Sequence, residues 1–196
     1  MNLWNPDFTR ISYLSYGNER QKDAYRVLTD GKIMDILQYY HPVLVGTVPI
    51  GIDLPGSDLD ILCEVHDFHR FEELIFLSFQ DCDEFRYLSK TVNGIPRVVV
   101  NFRCGGWPIE IFGQPVPTTR QNGYKHMIVE HRILQIWGNS GRRMIRDLKS
   151  RGFKTEPAFA KLLKLEGDAY DTLLKMYDWG QDKLTDYLRS DNHDTV

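Results

Sequence analysis

The stretch GTVPIGIDLPGSDLDILCEV, Gly46 to Val65, sets two aspartates two positions apart at the mouth of an apolar run. Alternation along a strand sends Asp58 and Asp60 to one face and Leu59, Ile61, Cys63 and Val65 to the other. Two like charges held so close disfavour each other's ionisation. A divalent cation removes that penalty, and Mg²⁺ takes one or two carboxylates together with water and substrate phosphate. Two such ions clamp the attacking and leaving oxygens of an in-line phosphoryl displacement.

A second ion needs an acid from an adjacent strand. Glu110 sits inside Ile109-Glu110-Ile111, and a charged side chain in an apolar strand is seldom buried unless paired or coordinated. The alternative leaves Glu110 on an exposed edge opposite Asn101. Upstream of the aspartates, Gly46-Thr47 ends the preceding strand, where a glycine lets a phosphate approach the backbone and the threonine hydroxyl offers a donor.

The surrounding chain alternates helical and extended signals. Asn18 is placed to cap a helix through RQKDAYRVL, and KIMDILQYY repeats its apolar residues at helical spacing until Pro42. Val43 to Gly46 and Asp58 to Val65 read as buried strands, and His66 to Phe79 as a helix crossing a sheet. Phe85 to Val92, Ile95 to Arg103 and Trp107 to Phe112 read as three antiparallel strands turning at Asn93-Gly94 and Gly105-Gly106. A two-residue second turn sets Cys104 against Trp107, Arg103 against Pro108 and Asn101 against Glu110. Pro108, which has no N–H, then falls where the ladder requires no donor.

Beyond Thr119 the pattern is helical, over Gly123 to Trp137, Gly141 to Arg151, Pro157 to Leu165 and Ala169 to Trp179, with Thr155 and Asp168 as caps. The last residues, DNHDTV, are expected to fray. The fold class expected is α+β, a mixed sheet flanked by helices with a helical C-terminal lobe. Its division is a core over residues 1–119 and a helical region over 120–196 packed on it.

A chain of 196 residues with 42% apolar content suits one sizeable core. No stretch is long and apolar enough to span a membrane, and MNLWNPDFTR lacks the pattern of a secretory leader, so a soluble cytoplasmic protein is expected. Cys63, Cys82 and Cys104 are odd in number and spaced for neither disulfides nor zinc. A net charge of −3 argues against a protein that coats long nucleic acid. Local charge differs: Arg142, Arg143, Arg146, Lys149, Arg151 and Lys154 stand against Asp147 alone between Ser140 and Lys154. Arg142, Arg146 and Lys149 share one helix face, either a solvated surface or a grip on a triphosphate tail or a short RNA. His126, Glu130 and His131 lack zinc-protease spacing, and His126 with Glu130 reads as a helix-face hydrogen bond rather than a metal site. Trp137, Tyr170, Tyr177 and Trp179 fall at helical spacing and read as core.

Gly46-Thr47, a spacer, Ser57-Asp58-Leu59-Asp60-Ile61 and a later Ile-Glu-Ile strand resemble the signature of the nucleotidyltransferase superfamily. More narrowly, PIGIDLPGSDLDI resembles a bacterial family within that superfamily, the domain of unknown function DUF4269. The resemblance implies a nucleotidyltransferase-like fold and transfer of a nucleoside monophosphate from an NTP to a hydroxyl of a small molecule, RNA or protein. It implies that Asp58, Asp60 and Glu110 bind Mg²⁺ or Mn²⁺ and act in catalysis, and that Gly46, Thr47 and Ser57 bind the nucleotide. Two features depart from the pattern: Thr47 stands where serine or glycine is usual, and Val48 to Pro55 holds no arginine. Arg97, Arg103, Arg120 and Lys125 join the basic helix face as candidates to meet the triphosphate charge.

Other Asp-x-Asp enzymes fit less well. In haloacid-dehalogenase-like phosphatases a continuous apolar strand precedes the motif, whereas Leu-Pro-Gly-Ser does here, and metal-dependent glycosyltransferases need a larger sugar-nucleotide domain. A nucleotide-binding or toxin-antitoxin module with little catalysis is the second reading.

Overall fold

The computed structural model describes residues 7–190; the terminal segment DNHDTV lies outside them. In chain order the elements are α1 (Glu19–Asp30), α2 (Ile33–Ile36), β1 (Val43–Val45), β2 (Leu59–Glu64), α3 (Phe68–Phe79), β3 (Arg86–Val92), β4 (Ile95–Cys104), β5 (Trp107–Gln114), α4 (Asn122–Ser150), α5 (Thr155–Leu162), α6 (Ala169–Met176) and α7 (Gln181–Ser190), with short 3-10 turns between some of them. Two compact units result. One comprises Phe8–Pro49 with Pro55–Tyr124; among the described residues the other gathers Asp7, Ile50–Leu54 and the chain from Lys125 to Ser190.

The first unit carries a five-stranded mixed sheet in the order β1-β2-β5-β4-β3. Among the described strands, β2 and β5 are the one neighbouring pair that runs parallel. The hairpin register is as the turn residues require: Cys104 pairs with Trp107, Arg103 with Pro108 and Asn101 with Glu110. Asn93 (φ 53°) and Gly94 (φ 77°) both take the left-handed conformation of a two-residue hairpin turn. One sheet face is dry. Leu44, Leu59, Ile61, Cys63, Val98, Val100, Ile109 and Ile111 pack there with Ala24 and Leu28 of α1 and Phe71 and Ile75 of α3.

Local chemistry sets the helix starts. Asn18 Oδ1 accepts from the Gln21 amide while Gln21 Oε1 accepts from the Asn18 amide, a reciprocal cap on α1. Asp67 caps α3 and Asp168 caps α6 through their side chains. Thr155 departs from expectation, since α5 begins on it and the cap position is Lys154, which offers no side-chain acceptor. KIMDILQYY also differs: Lys32 and His41 take positive φ, leaving one turn of α-helix and one of 3-10 helix.

In the second unit α4 bends at Gly138, whose φ of 62° and ψ of −148° are not helical. That bend separates the two helices expected over Gly123 to Trp137 and Gly141 to Arg151. The added element is α7, whose buried Leu184 and Leu188 stand one turn apart. Trp137 stacks on Phe159 and Trp179 meets Tyr187 edge-on, so both indoles pack against other rings of the unit. Among the described residues no helix is long and apolar enough to cross a membrane. All three thiols are free, with Cys63 buried and Cys82 and Cys104 half-buried.

Candidate active site

Residues opposite one another in a ladder share a sheet face, so the pairings trace a row across the sheet. At the level of Asp60 it reads Val45, Asp60, Glu110, Asn101, Arg86. Asp60 and Glu110 are thereby lateral neighbours on parallel strands, about 4.8 Å apart at the backbone. Both are half-buried, and they lie on the face opposite the dry core. Glu110 does not occupy an edge: β5 has β2 on one side and β4 on the other. Asn101 Nδ2 donates to Glu110 Oε2 at 3.2 Å, which fixes one carboxylate oxygen.

Asp58 lies just ahead of the ladder, which starts at Leu59, and is exposed. The strand therefore begins one residue later than the alternation suggested. The structure pairs Asp60 with Glu110 in register, while Asp58 stands at the open entry to the same strand.

Gly46 follows β1 with φ 80°, a conformation that L side chains rarely adopt. A Cβ built there would collide with Asp60 Oδ2. The glycine at this turn therefore makes room for the carboxylate itself, a reason beyond the phosphate approach read from the sequence. Thr47 opens the following turn and Ser57 precedes β2, both half-buried. Gln21 Nε2 donates to the carbonyls of Val48 (2.9 Å) and Pro49 (3.2 Å), fastening this turn to the head of α1. Sequence reasoning missed that role; its trace was the glutamine three residues beyond the Asn18 cap.

The basic candidates fall into different settings. Arg97 shares the Asn101 side of β4 by alternation, and its Nε is buried without a hydrogen-bond partner. Arg103 donates to the Gly106 carbonyl at 3.0 Å and lies 3.9 Å from Glu84. Arg120 is exposed at the end of a 3-10 turn, and Lys125 faces the Tyr177 ring. Arg142, Arg146 and Lys149 are half-buried and donate to main-chain carbonyls of Leu134 (3.3 Å), Gly51 (2.6 Å) and Ile52 (3.1 Å). The last two fasten the Ile50–Leu54 segment to the second half of α4, so this is not a simple solvated face.

His126, Glu130 and His131 also separate. All three are buried, but His131 lies 3.3 Å from the Gln135 side chain, whereas His126 and Glu130 share a cluster with Glu156.

The row on β2 and β5 carries oxygen donors of the type a hard divalent cation takes. Asp60 and Glu110 are carboxylates at neighbouring positions of one row, with Asn101 on one oxygen of Glu110, and such oxygen donors are of the kind that could hold Mg²⁺ with water and phosphate; the structure does not bring the donor atoms of Asp58, Asp60 and Glu110 within 4.8 Å of one another.

The chain is similar to several solved structures. A histidine mutant of the Cid1 poly(U) polymerase bound to MgATP superposes with a TM-score of 0.50 at 14% identity, covering 85% of this chain and 54% of that one. A second Cid1 structure, described for its RNA terminal uridylyl transferase activity, gives 0.49 at 12% identity over 85% and 52%. The polymerase core of the TRAMP RNA surveillance complex gives 0.47 at 12% identity over 92% and 59%. The chain spans a little over half the length of these proteins; the likeness to the first of them, at 14% identity, is one of fold, a nucleotidyltransferase-like one. None of the curated proteins matches the chain. The model of the domain of unknown function DUF4269 matches residues 26–176, which take in β1 to β5 with Asp58, Asp60 and Glu110, and the chain belongs to that family.

Proposed function

We propose that the protein is a cytoplasmic nucleotidyltransferase that moves a nucleoside monophosphate from an NTP to a hydroxyl of a small-molecule, RNA or protein acceptor. The observation that carries this reading is the register that sets Asp60 beside Glu110, with Asn101 holding Glu110 and Gly46 cleared for Asp60.

Asp60 and Glu110, with Asp58, would hold Mg²⁺ or Mn²⁺. Bound there, the ions offset the charge that develops on the pyrophosphate leaving group. Gly46, Thr47 and Ser57 line the nucleotide side, where a backbone without a Cβ and two hydroxyls admit phosphate oxygens. Asp58, the exposed acid, is the one an incoming hydroxyl reaches, and it takes the hydroxyl proton as the oxygen bonds to the α-phosphorus and the bond to pyrophosphate breaks. An RNA acceptor held through Arg142, Arg146 and Lys149 would have to use donors other than those on the carbonyls of Leu134, Gly51 and Ile52. Residues 1–119 act in this reading as the catalytic core and 120–196 as a helical accessory region.

The test is incubation with labelled NTPs, Mg²⁺ and a cell extract. Transfer of label is expected from the parent and is abolished in Asp58→Asn and Asp60→Asn, whose far-UV circular dichroism stays that of the parent. Calorimetric binding of Mg²⁺ and ATP with no product in any extract fraction would instead establish a nucleotide-binding module.

A further inference from the structure

The helical unit holds a second set of ligand-type side chains, unrelated to Asp58, Asp60 and Glu110. His126 and Glu130 stand one turn apart on α4 and point to one side of it. Glu156, in the first turn of α5, meets them there. One donor atom from each lies within 4.8 Å of the other two, and among the described residues this is the one trio of histidine, cysteine or acidic side chains so arranged.

The setting is costly without a ligand. His126 is 7% exposed and Glu130 3%, and Nδ1 of His126 is buried with no hydrogen-bond partner. A buried polar atom left unpaired forfeits its hydration and gains nothing in return. Burial, and then the neighbouring Glu156, push the Glu130 carboxyl well above the usual carboxylate range, although Lys149 pulls the other way. Burial also lowers the His126 imidazole against the opposing pull of Glu156, Asp168 and Asp171, which favours the neutral ring with a lone pair to give. The Tyr170 ring packs edge-on against that imidazole at 5.9 Å.

We propose that His126, Glu130 and Glu156 bind one borderline first-row divalent cation of the Zn²⁺ class, which ties the first half of α4 to the start of α5. Mixed nitrogen and oxygen donors suit such an ion, whereas Mg²⁺ and Ca²⁺ favour oxygen alone. One dication balances the two carboxylates, so the buried group is neutral as a whole, and the imidazole gives one ring nitrogen to the ion. A tetrahedral ion keeps its fourth position for water. The site is independent of the proposed transfer reaction and stands or falls without it.

The full chain, stripped with chelator, is dialysed against Zn²⁺ in a large excess of Mg²⁺ to fill the all-oxygen site, and bound zinc is counted and competed with a chromophoric chelator. One equivalent is expected on the parent and on Asp60→Asn. Glu156→Gln weakens retention by about tenfold or more, in line with losses seen when metal-site partners are removed, and His126→Asn abolishes it. Because His126 is buried and its replacement can disturb folding, the half-buried Glu156 decides the matter, with circular dichroism confirming an intact fold. No zinc retained by the parent, equal retention by Glu156→Gln, or retention that depends on Asp60 overturns the proposal.

Discussion

The two units of this chain treat their polar side chains in opposite ways. On the sheet, Asp60, Glu110 and Asn101 stand half-open in a row on the face away from the core, and Asp58 is exposed beside them. In the helical unit His126 and Glu130 are buried, and Arg142, Arg146 and Lys149 reach main-chain carbonyls of their own unit. The first arrangement leaves its carboxylates partly open to solvent, as the proposed transfer reaction requires. The second uses its charges to hold the fold. Chemistry should therefore be sensitive to changes on the sheet, and stability to changes in the helices.

After Asp58→Asn and Asp60→Asn, which abolish transfer, the largest effect expected is at Glu110. Glu110→Gln keeps the size of the side chain and its contact with Asn101 while removing the charge; it should lower the transfer rate by about 10²–10³, the scale for loss of one preorganised electrostatic group. Its urea midpoint should stay that of the parent. A matched fall in midpoint would erase the contrast by giving the sheet carboxylates a structural task of their own.

The converse case is Arg146→Ala. Its guanidinium donates to the Gly51 carbonyl at 2.6 Å across 95 residues of chain. Loss of a charged hydrogen bond that leaves a part-buried carbonyl unpaired costs about 1.5–3 kcal/mol, read from denaturant unfolding. A solvated charge would cost less than about 0.5 kcal/mol. A value in that lower range would return the basic face to solvent and make it available to a polyanion.

What the sequence made legible, and what it hid, follows the same division. The β4–β5 register was readable because Gly105-Gly106 fixes the loop length and Pro108 tolerates one hydrogen-bonding phase, and once the register is set Asn101 must face Glu110. The Asp58 and Asp60 pair was visible because charges interrupt an apolar run. Contacts that depend on how separate segments meet were not visible. Nothing near Gly46 announces that the Asp60 carboxylate lies over its Cα, nor does any local pattern place Glu156 beside His126 and Glu130. The spacing of His126 and Glu130 was noticed, but a pair on a helix surface and a pair turned into a packed unit have the same spacing. Burial separates them, and it is decided by α5 and α6, remote in sequence. The helix α7 escaped because two buried leucines in a polar decapeptide give too weak a period.

The smallest effect expected is a change in slope. In metal-free protein, burial makes the charged form of Glu130 costlier in the fold than in the unfolded chain, raising its carboxyl above the ordinary 4.5. From pH 4.5 up to that raised value the folded protein keeps a proton the unfolded chain has released, so stability falls as pH climbs. His126 works the other way: burial lowers its imidazole below 6.5, so below that pH the unfolded chain takes a proton the fold resists, and stability falls as pH drops. The two contributions overlap with opposite sign, and the difference between parent and Glu130→Gln is the quantity to measure, by urea unfolding in chelator from pH 4.5 to 8. The variant should lose less stability than the parent as pH rises, by at most about 1.4 kcal/mol per pH unit, the limit for a single proton. Parallel curves would mean that Lys149, which favours the charged carboxylate, outweighs burial. Glu130 would then be a charged partner in an ion pair, and the contrast between open and buried acids would rest on exposure alone.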